Sequence, residues 1–277
     1  MTSTAPSREQ ASSFLAADGR TVIVALDHAL ASGQIAPLDR PTELLASVLA
    51  GAPDALIATP GMARLLGDDG LPWLLTADYY ATSAIPGRAG EDVVHVPLWS
   101  PEHARRSGAV GLKCLLVYGH DDPRVLGDNV RFVARLIEDA HAIGLSVMVE
   151  AVLWGRSLAP AWEHDGTLVA HAARTAYELG ADVIKVALPD DTAALATLAR
   201  AIPIPIVMMG GPATDPAALF PRLRSAIDAG VRGVALGRNV WGSPQPEAVV
   251  RALRAMIHDD APADVALAML REAVHGG

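Results

Sequence analysis

Eight short apolar runs recur along the chain, each separated from the next by a longer stretch of helical character. They lie at Val22–Leu26, Ala55–Ala58, Trp73–Thr76, Val110–Val117, Val147–Val152, Val183–Ala187, Ile204–Met208 and Gly233–Leu236. Each is nearly continuous in Val, Ile, Leu and Ala, the pattern of strands buried on both faces of a parallel sheet. The intervening segments carry helix punctuation. Asp121–Ile143 starts Asp-Asp-Pro and stops at Gly144; Asp165–Leu179 stops at Gly180; Asp215–Ala229 has Pro216 in its first turn and stops at Gly230. Pro246–Ile257 follows the last run, and Ala261–Ala273 reads as an extra terminal helix. Eight such units predict an α/β fold, a single-domain (β/α)8 TIM barrel. The rival, an open doubly wound sheet, would carry GxGxxG after its first strand, where this chain reads VIVALDHALASG. No linker divides the chain, so residues 1–20 are read as an N-terminal extension and 21–277 as the barrel with its C-terminal helix. Tyr79–Ser100 is irregular, with VVHVP inside it as a short additional strand or rim piece.

Composition narrows the function. Thirty-one acidic residues against 22 basic give a net charge of −9, which argues against general nucleic-acid or anionic-membrane binding. The single cysteine, Cys114, excludes an internal disulfide framework and a cysteine-built zinc cluster. Nine histidines show no HxH or HExxH spacing, so no metal site is expected. No apolar run is long enough for a membrane span, and the first ten residues lack a signal pattern, which makes the cytoplasm the expected location.

The basic residues are twenty arginines and only two lysines, Lys113 and Lys185, both inside apolar strand-like runs. Arginine cannot stand in for an amine that must lose its proton. Snorkelling or ion-paired lysines are the bland alternative. A barrel gathers strand C-termini at one mouth, which places Asp27 and His28 after the first strand with Lys113 and Tyr118 from the fourth, Glu150 from the fifth and Lys185 from the sixth. This set suits Schiff-base chemistry: a neutral lysine condenses with a ketone, and the iminium accepts electrons while a neighbouring bond breaks. Burial and a second cation both favour the neutral amine, and Lys113 is the candidate second cation for Lys185. Glu150 and Asp27 are candidate proton carriers or hydroxyl binders, and His28 a wall of the site. Gly210-Gly211 and Gly237-Arg238 end the last two strands, where this fold commonly binds phosphate.

TVIVALDHALASGQIAPL, LVAHAARTAYELGADVIKVALPDD, PIPIVMMGGP and AGVRGVALGRNVWGSPQP resemble archaeal-type class I fructose-bisphosphate aldolases and the related aminodideoxyheptulosonate synthases. AVGLKCLLVYG and SVMVEAVLWGR are more similar to the tagatose-bisphosphate and sulfofructose-phosphate aldolase branch. All belong to one aldolase family that includes deoxyribose-phosphate aldolase. The resemblance runs from about residue 20 to 258 and is thinnest between 60 and 105. It implies Lys185 as the Schiff-base lysine, Lys113 and Glu150 in the site, Asp27 as the acid after strand one, a phosphate site at Gly210, Gly211, Gly237 and Arg238, and no cofactor. It also implies a homo-oligomer acting on small sugar phosphates or related aldehydes and ketones. One departure stands out. Archaeal fructose-bisphosphate aldolases place a tyrosine proton donor after strand five, and here Val152 falls at that position, leaving Glu150 or Tyr118 to move the proton. Three readings stay open: an aldolase using a ketone donor such as dihydroxyacetone phosphate, a transaldolase-like or aminodideoxyheptulosonate-type synthase, and a catalytically silent sugar-phosphate sensor.

Overall fold

A computed structural model describes residues 13–67, 70–85, 88, 90 and 93–276. Its strands are β1 (Thr21–Ala25), β2 (Ala55–Ala58), β3 (Trp73–Thr76), β4 (Asp78–Ala81), β5 (Val94–Pro97), β6 (Gly111–Val117), β7 (Ser146–Val152), β8 (Val183–Ala187), β9 (Ile206–Met209) and β10 (Gly233–Leu236). The helices are α1 (Ala29–Ser32), α2 (Pro41–Ala50), α3 (Pro60–Ala63), α4 (Pro101–Arg106), α5 (Pro123–Ala142), α6 (Gly166–Glu178), α7 (Thr192–Ala201), α8 (Pro216–Asp228), α9 (Arg238–Trp241), α10 (Pro246–His258) and α11 (Ala263–Gly276).

Eight strands close into a parallel barrel in the order β1, β2, β3, β6, β7, β8, β9, β10, with β10 paired back to β1. These are the eight apolar runs of the sequence, with ends shifted by no more than two residues. Closure brings Gly233 so near β1 that a Cβ there would lie 2.0 Å from the Thr21 carbonyl oxygen, and its φ of +150° disfavours any other residue. Within VVHVP the last four residues form β5, which pairs antiparallel with β4, Asp78 opposite Pro97 and Ala81 opposite Val94. This ribbon begins two residues beyond Thr76 and therefore stands at the mouth of the barrel.

Strand alternation sorts side chains into two cores. Ile23, Ala25, Ala55, Ile57, Leu74, Met148, Val183, Val207 and Ala235 fill the barrel interior, and Phe14 packs with them. Phe14 belongs to the stretch read as an extension, and at 1% exposure it plugs the barrel base; residues 1–12 lie outside the described residues. The opposite faces, such as Val22, Val24, Leu56, Leu75, Leu112, Cys114 and Leu116, pack beneath the helices. The helices start where the sequence places them. Asp122, Asp165, Asp191 and Asp215 each accept a backbone N–H in the first turn of the helix that follows. No helix of the described residues is long and apolar enough to cross a membrane.

Candidate active site

Register decides which polar residues meet. β7 pairs with β8 so that Glu150 lies opposite Lys185, and β3 pairs with β6 so that Thr76 lies opposite Lys113. All four point into the barrel at its C-terminal end. Their side chains and that of Asp27 form one continuous chain of contacts. Thr76 Oγ1 donates to Asp27 Oδ2 at 2.7 Å, and Lys113 Nζ lies 3.1 Å from that same oxygen. Lys113 Nζ is also 3.2 Å from Glu150 Oε2, while Lys185 Nζ is 2.9 Å from Glu150 Oε1. Two ammonium and two carboxylate groups thus sit together with no more than 11% of any side chain exposed.

Such a cluster is stable only because the charges compensate. Burial works to raise the carboxyl groups of Asp27 and Glu150, but the lysines outweigh it and both titrate below their ordinary values. Burial likewise opposes the charge on Lys113, and Asp27 and Glu150 together overcome it, raising the amine well above an ordinary lysine. Among the described residues Lys113 has two carboxylate partners and Lys185 has one.

The cluster floors a cavity of about 150 Å³ lined also by His28, Ser32, Asp78, Tyr80, Leu115 and Trp154. Its volume is that of about five waters at ~30 Å³ each, so the enclosed part fits a small carbonyl compound and anything longer extends over the rim. His28 Nδ1 stands 3.5 Å from Asp27 Oδ1, and its ring meets Trp241 edge-on. Burial lowers its pKa, which keeps the imidazole neutral. Trp154 is pinned by a 3.0 Å hydrogen bond from its indole N–H to Glu163 Oε1, whereas Trp162 points outward, 47% exposed. A wider groove between β5 and α5, of about 610 Å³, holds neither lysine nor Glu150.

The glycine pairs form an adjoining part of the rim. Asn239, on α9, ties the two loops together: its side-chain N–H groups donate to the Gly210 and Pro212 carbonyls at 2.8 and 3.0 Å, and its oxygen accepts from Thr214 N at 2.8 Å. A Cβ on Gly210 would fall 2.5 Å from Asn239 Nδ2, so the latch requires glycine. Gly211, with φ +64°, has open space where a Cβ would be. Gly237 lies directly against the His28 ring. Arg238 is exposed and forms no ion pair among the described residues.

One expected member lies elsewhere. Lys113, Leu115 and Val117 share the inward face of β6, so Tyr118 faces outward, where its hydroxyl meets Thr175 of α6. It is absent from the cavity lining and too far round the strand to replace the missing tyrosine, so its assignment to the site is corrected. Val152 is 1% exposed and brings no polar group. Four residues near the cavity were missed in the sequence: Thr76, Asp78, Tyr80 and His95. Thr76 was legible as the polar end of an apolar strand. The others belong to the ribbon, whose pairing has no local signature. Among the described residues no group of three metal-ligating side chains occurs.

The family profile of DeoC/LacD aldolases matches residues 21–243. An uncharacterized aldolase of Saccharolobus solfataricus is 30% identical, the alignment covering 91% of this chain and 95% of that one. A 2-amino-3,7-dideoxy-D-threo-hept-6-ulosonate synthase of Halobacterium salinarum is also 30% identical, over 92% of each. Among solved structures, an archaeal fructose-1,6-bisphosphate aldolase whose catalytic lysine is covalently bound to the carbinolamine intermediate of its substrate superposes with a TM-score of 0.78 at 25% identity, covering 90% of this chain and 98% of that one. The chain therefore belongs to the DeoC/LacD aldolase family and is a class I aldolase, a lyase that makes or breaks a carbon–carbon bond through a lysine Schiff base.

Proposed function

We propose that the substrate is a phosphorylated ketose or related sugar, that the donor half is dihydroxyacetone phosphate or a similar ketone, and that Lys185 is the lysine that forms the Schiff base. The observation that carries this reading is the unequal sharing of carboxylates. Lys113 is held by Asp27 and Glu150 together, whereas Lys185 has only Glu150 Oε1 at 2.9 Å. Two carboxylates tie down the Lys113 amine, whereas Lys185 is tied by one, which leaves Lys185 the less committed nitrogen for attack on a carbonyl.

The steps follow from that asymmetry. Lys185 Nζ attacks the ketone carbon, the carbonyl oxygen leaves as water, and an iminium remains. Glu150, in contact with the amine, carries protons between nitrogen and departing oxygen. Loss of a proton from the adjacent carbon gives an enamine, which attacks the aldehyde carbon of the acceptor. Lys113 stays a fixed cation that keeps Asp27 and Glu150 ionised and binds a substrate oxygen. Gly210, Gly211, Gly237 and Arg238 are assigned to the phosphate, supported by the open backbone at Gly211 and the exposed Arg238 on the neighbouring loop that Asn239 latches to it. His28, between lysine and rim, is assigned to the wall that orients the donor.

A second reading is favoured by the 30% identical synthase of Halobacterium salinarum and by Val152 at the tyrosine position: the enzyme joins the donor to a different aldehyde instead of cleaving a bisphosphate. A homo-oligomer in the cytoplasm accompanies either reading, supported by the positive mean hydropathy of +0.28, and gel filtration with light scattering tests the oligomer. For the function itself, the protein is mixed with dihydroxyacetone phosphate and borohydride and its intact mass is measured, beside assays of fructose-bisphosphate cleavage and donor exchange between aldehydes. A donor-sized adduct with cleavage supports the first reading, and the same adduct with exchange alone supports the second. Binding without adduct or turnover would leave the silent sensor.

A further inference from the structure

The addition step needs an acid. When the enamine carbon bonds to the aldehyde, the carbonyl π electrons move to oxygen, and that oxygen must take a proton. The groups lining the cavity can be worked through in turn. Lys113 is committed to two carboxylates and Thr76 donates to Asp27. Asp27 is ionised, and Glu150 is engaged with the proton transfers at the Lys185 nitrogen 2.9 Å away. His28 is kept neutral by burial, its Nδ1 lies 3.5 Å from Asp27 Oδ1 without a hydrogen bond, and its ring lies against Gly237 on the rim assigned to the phosphate; Asp78 accepts from Leu115 N and lies 2.8 Å from His95 Nε2 through its Oδ2. Tyr80 remains. Its hydroxyl is buried and has no hydrogen-bond partner among the described residues, and the residue lines the same cavity as Lys185.

Its surroundings fit the task. The Tyr80 ring stands edge-on to His95 at 5.4 Å and tilts against His120 at 5.9 Å and Trp154 at 6.0 Å. Burial raises the phenol above its ordinary pKa, so the hydroxyl keeps its proton at neutral pH. Asp78 Oδ1, His95 Nδ1 and both ring nitrogens of His120 are also buried without partners among the described residues. Buried polar atoms are normally hydrogen-bonded, so a group of unpartnered ones around the Tyr80 ring marks where a polar ligand completes the bonding.

We infer that Tyr80, from the β4–β5 ribbon, is the catalytic acid that protonates the acceptor aldehyde oxygen during carbon–carbon bond formation. The Oη proton passes to the new alkoxide, and the phenolate regains a proton from water. In cleavage the same phenolate takes the proton of the hydroxyl whose carbon becomes the aldehyde. The inference rests on Lys185 as the iminium lysine, and the acid works from the third strand's extension, not from β7.

The test separates donor chemistry from acceptor chemistry. Wild type, Tyr80→Phe and Tyr79→Phe are given dihydroxyacetone phosphate in heavy water, and exchange of its carbon-bound hydrogen is followed by NMR. Addition to glyceraldehyde 3-phosphate and to glyceraldehyde is measured in parallel. Tyr80→Phe is expected to exchange the donor within about threefold of wild type yet to lose addition by about 100-fold or more, the usual share of a general acid. Tyr79→Phe is expected to change neither rate by more than about twofold. Addition by Tyr80→Phe within about threefold of wild type would overturn the inference. A parallel fall of exchange and addition would also overturn it, since Tyr80 would then serve the donor or the fold. A wild type that neither exchanges nor traps the donor would instead remove the Lys185 reading on which the inference stands.

Discussion

The barrel carries a charge cluster at each end, buried at the mouth and partly exposed at the base, and the two are built on different rules. At the base, Asp54 precedes β2 and accepts from Val22 N at 2.6 Å and Arg254 Nη1 at 2.6 Å, with His258 Nε2 at 2.8 Å. His258 Nδ1 reaches Asp18 at 2.8 Å, and Arg20 reaches Asp260 at 2.7 Å. The contacts join the start of the described chain to the end of α10, and none of these residues has a buried side-chain atom left unpartnered. At the mouth, the four-residue cluster is ionically complete, but the wall beside it holds unpartnered atoms of Asp78, Tyr80, His95 and His120. A closed circuit of charges stabilises; an open one awaits a ligand. This is the division expected of the fold, with stability at the N-terminal face and chemistry at the C-terminal face.

Substitutions at the two ends sharpen the contrast. Lys185→Ala is expected to drop aldol activity to background while the protein stays folded, because Glu150 keeps Lys113; far-UV circular dichroism and a coupled activity assay check both. Glu150→Gln removes the anion between two buried ammonium groups, and breaking such a pair costs about 3–5 kcal/mol. Denaturant unfolding should show that loss together with lost activity, and a full-stability variant would contradict the geometry. At the base, Asp54→Asn is expected to cost about 1–3 kcal/mol through Arg254, His258 and Val22 N, with kcat and KM unchanged. A large kcat effect there would erase the distinction between the ends.

The smallest effect is in the pH dependence of stability. Hydrogen bonds to Asp54 and Asp18 raise His258 above 6.5, with burial opposing, and Asp182 does the same for His141. A raised histidine stabilises fully below its unfolded value of about 6.5 and loses that contribution as pH climbs through the folded value. The mouth carboxylates have lowered values, so their contribution persists below about pH 4 and fails only in stronger acid. Melting temperature is therefore expected to decline from pH 6 to 8, and His258→Gln should flatten part of that decline. An unchanged slope in the variant would show that His258 does not carry the effect.

How much of this was legible varies by element. The barrel strands were, because burial on both faces makes each a continuous apolar run. Lys113 and Lys185 were, because they are the only lysines in an arginine-rich chain and sit in strands. The pairing of Glu150 with Lys185 was not, since register depends on barrel closure and not on local pattern. Tyr118 could have been set aside earlier: counting alternate residues from Lys113 turns it outward. Tyr80 could not have been found, because β4 and β5 are separated by residues 82–93, and nothing local says that the two pair. The base cluster is equally hidden, with Asp54 and His258 204 residues apart.

The central claim is that Lys185, not Lys113, is the reacting amine. Its most direct test is borohydride reduction in the presence of dihydroxyacetone phosphate, followed by protease digestion and peptide mass spectrometry to locate the adduct. The account predicts a donor-sized adduct on Lys185 and none on Lys113. An adduct on Lys113 would mean that the amine held by two carboxylates is the nucleophile, and would contradict the assignment of both lysines.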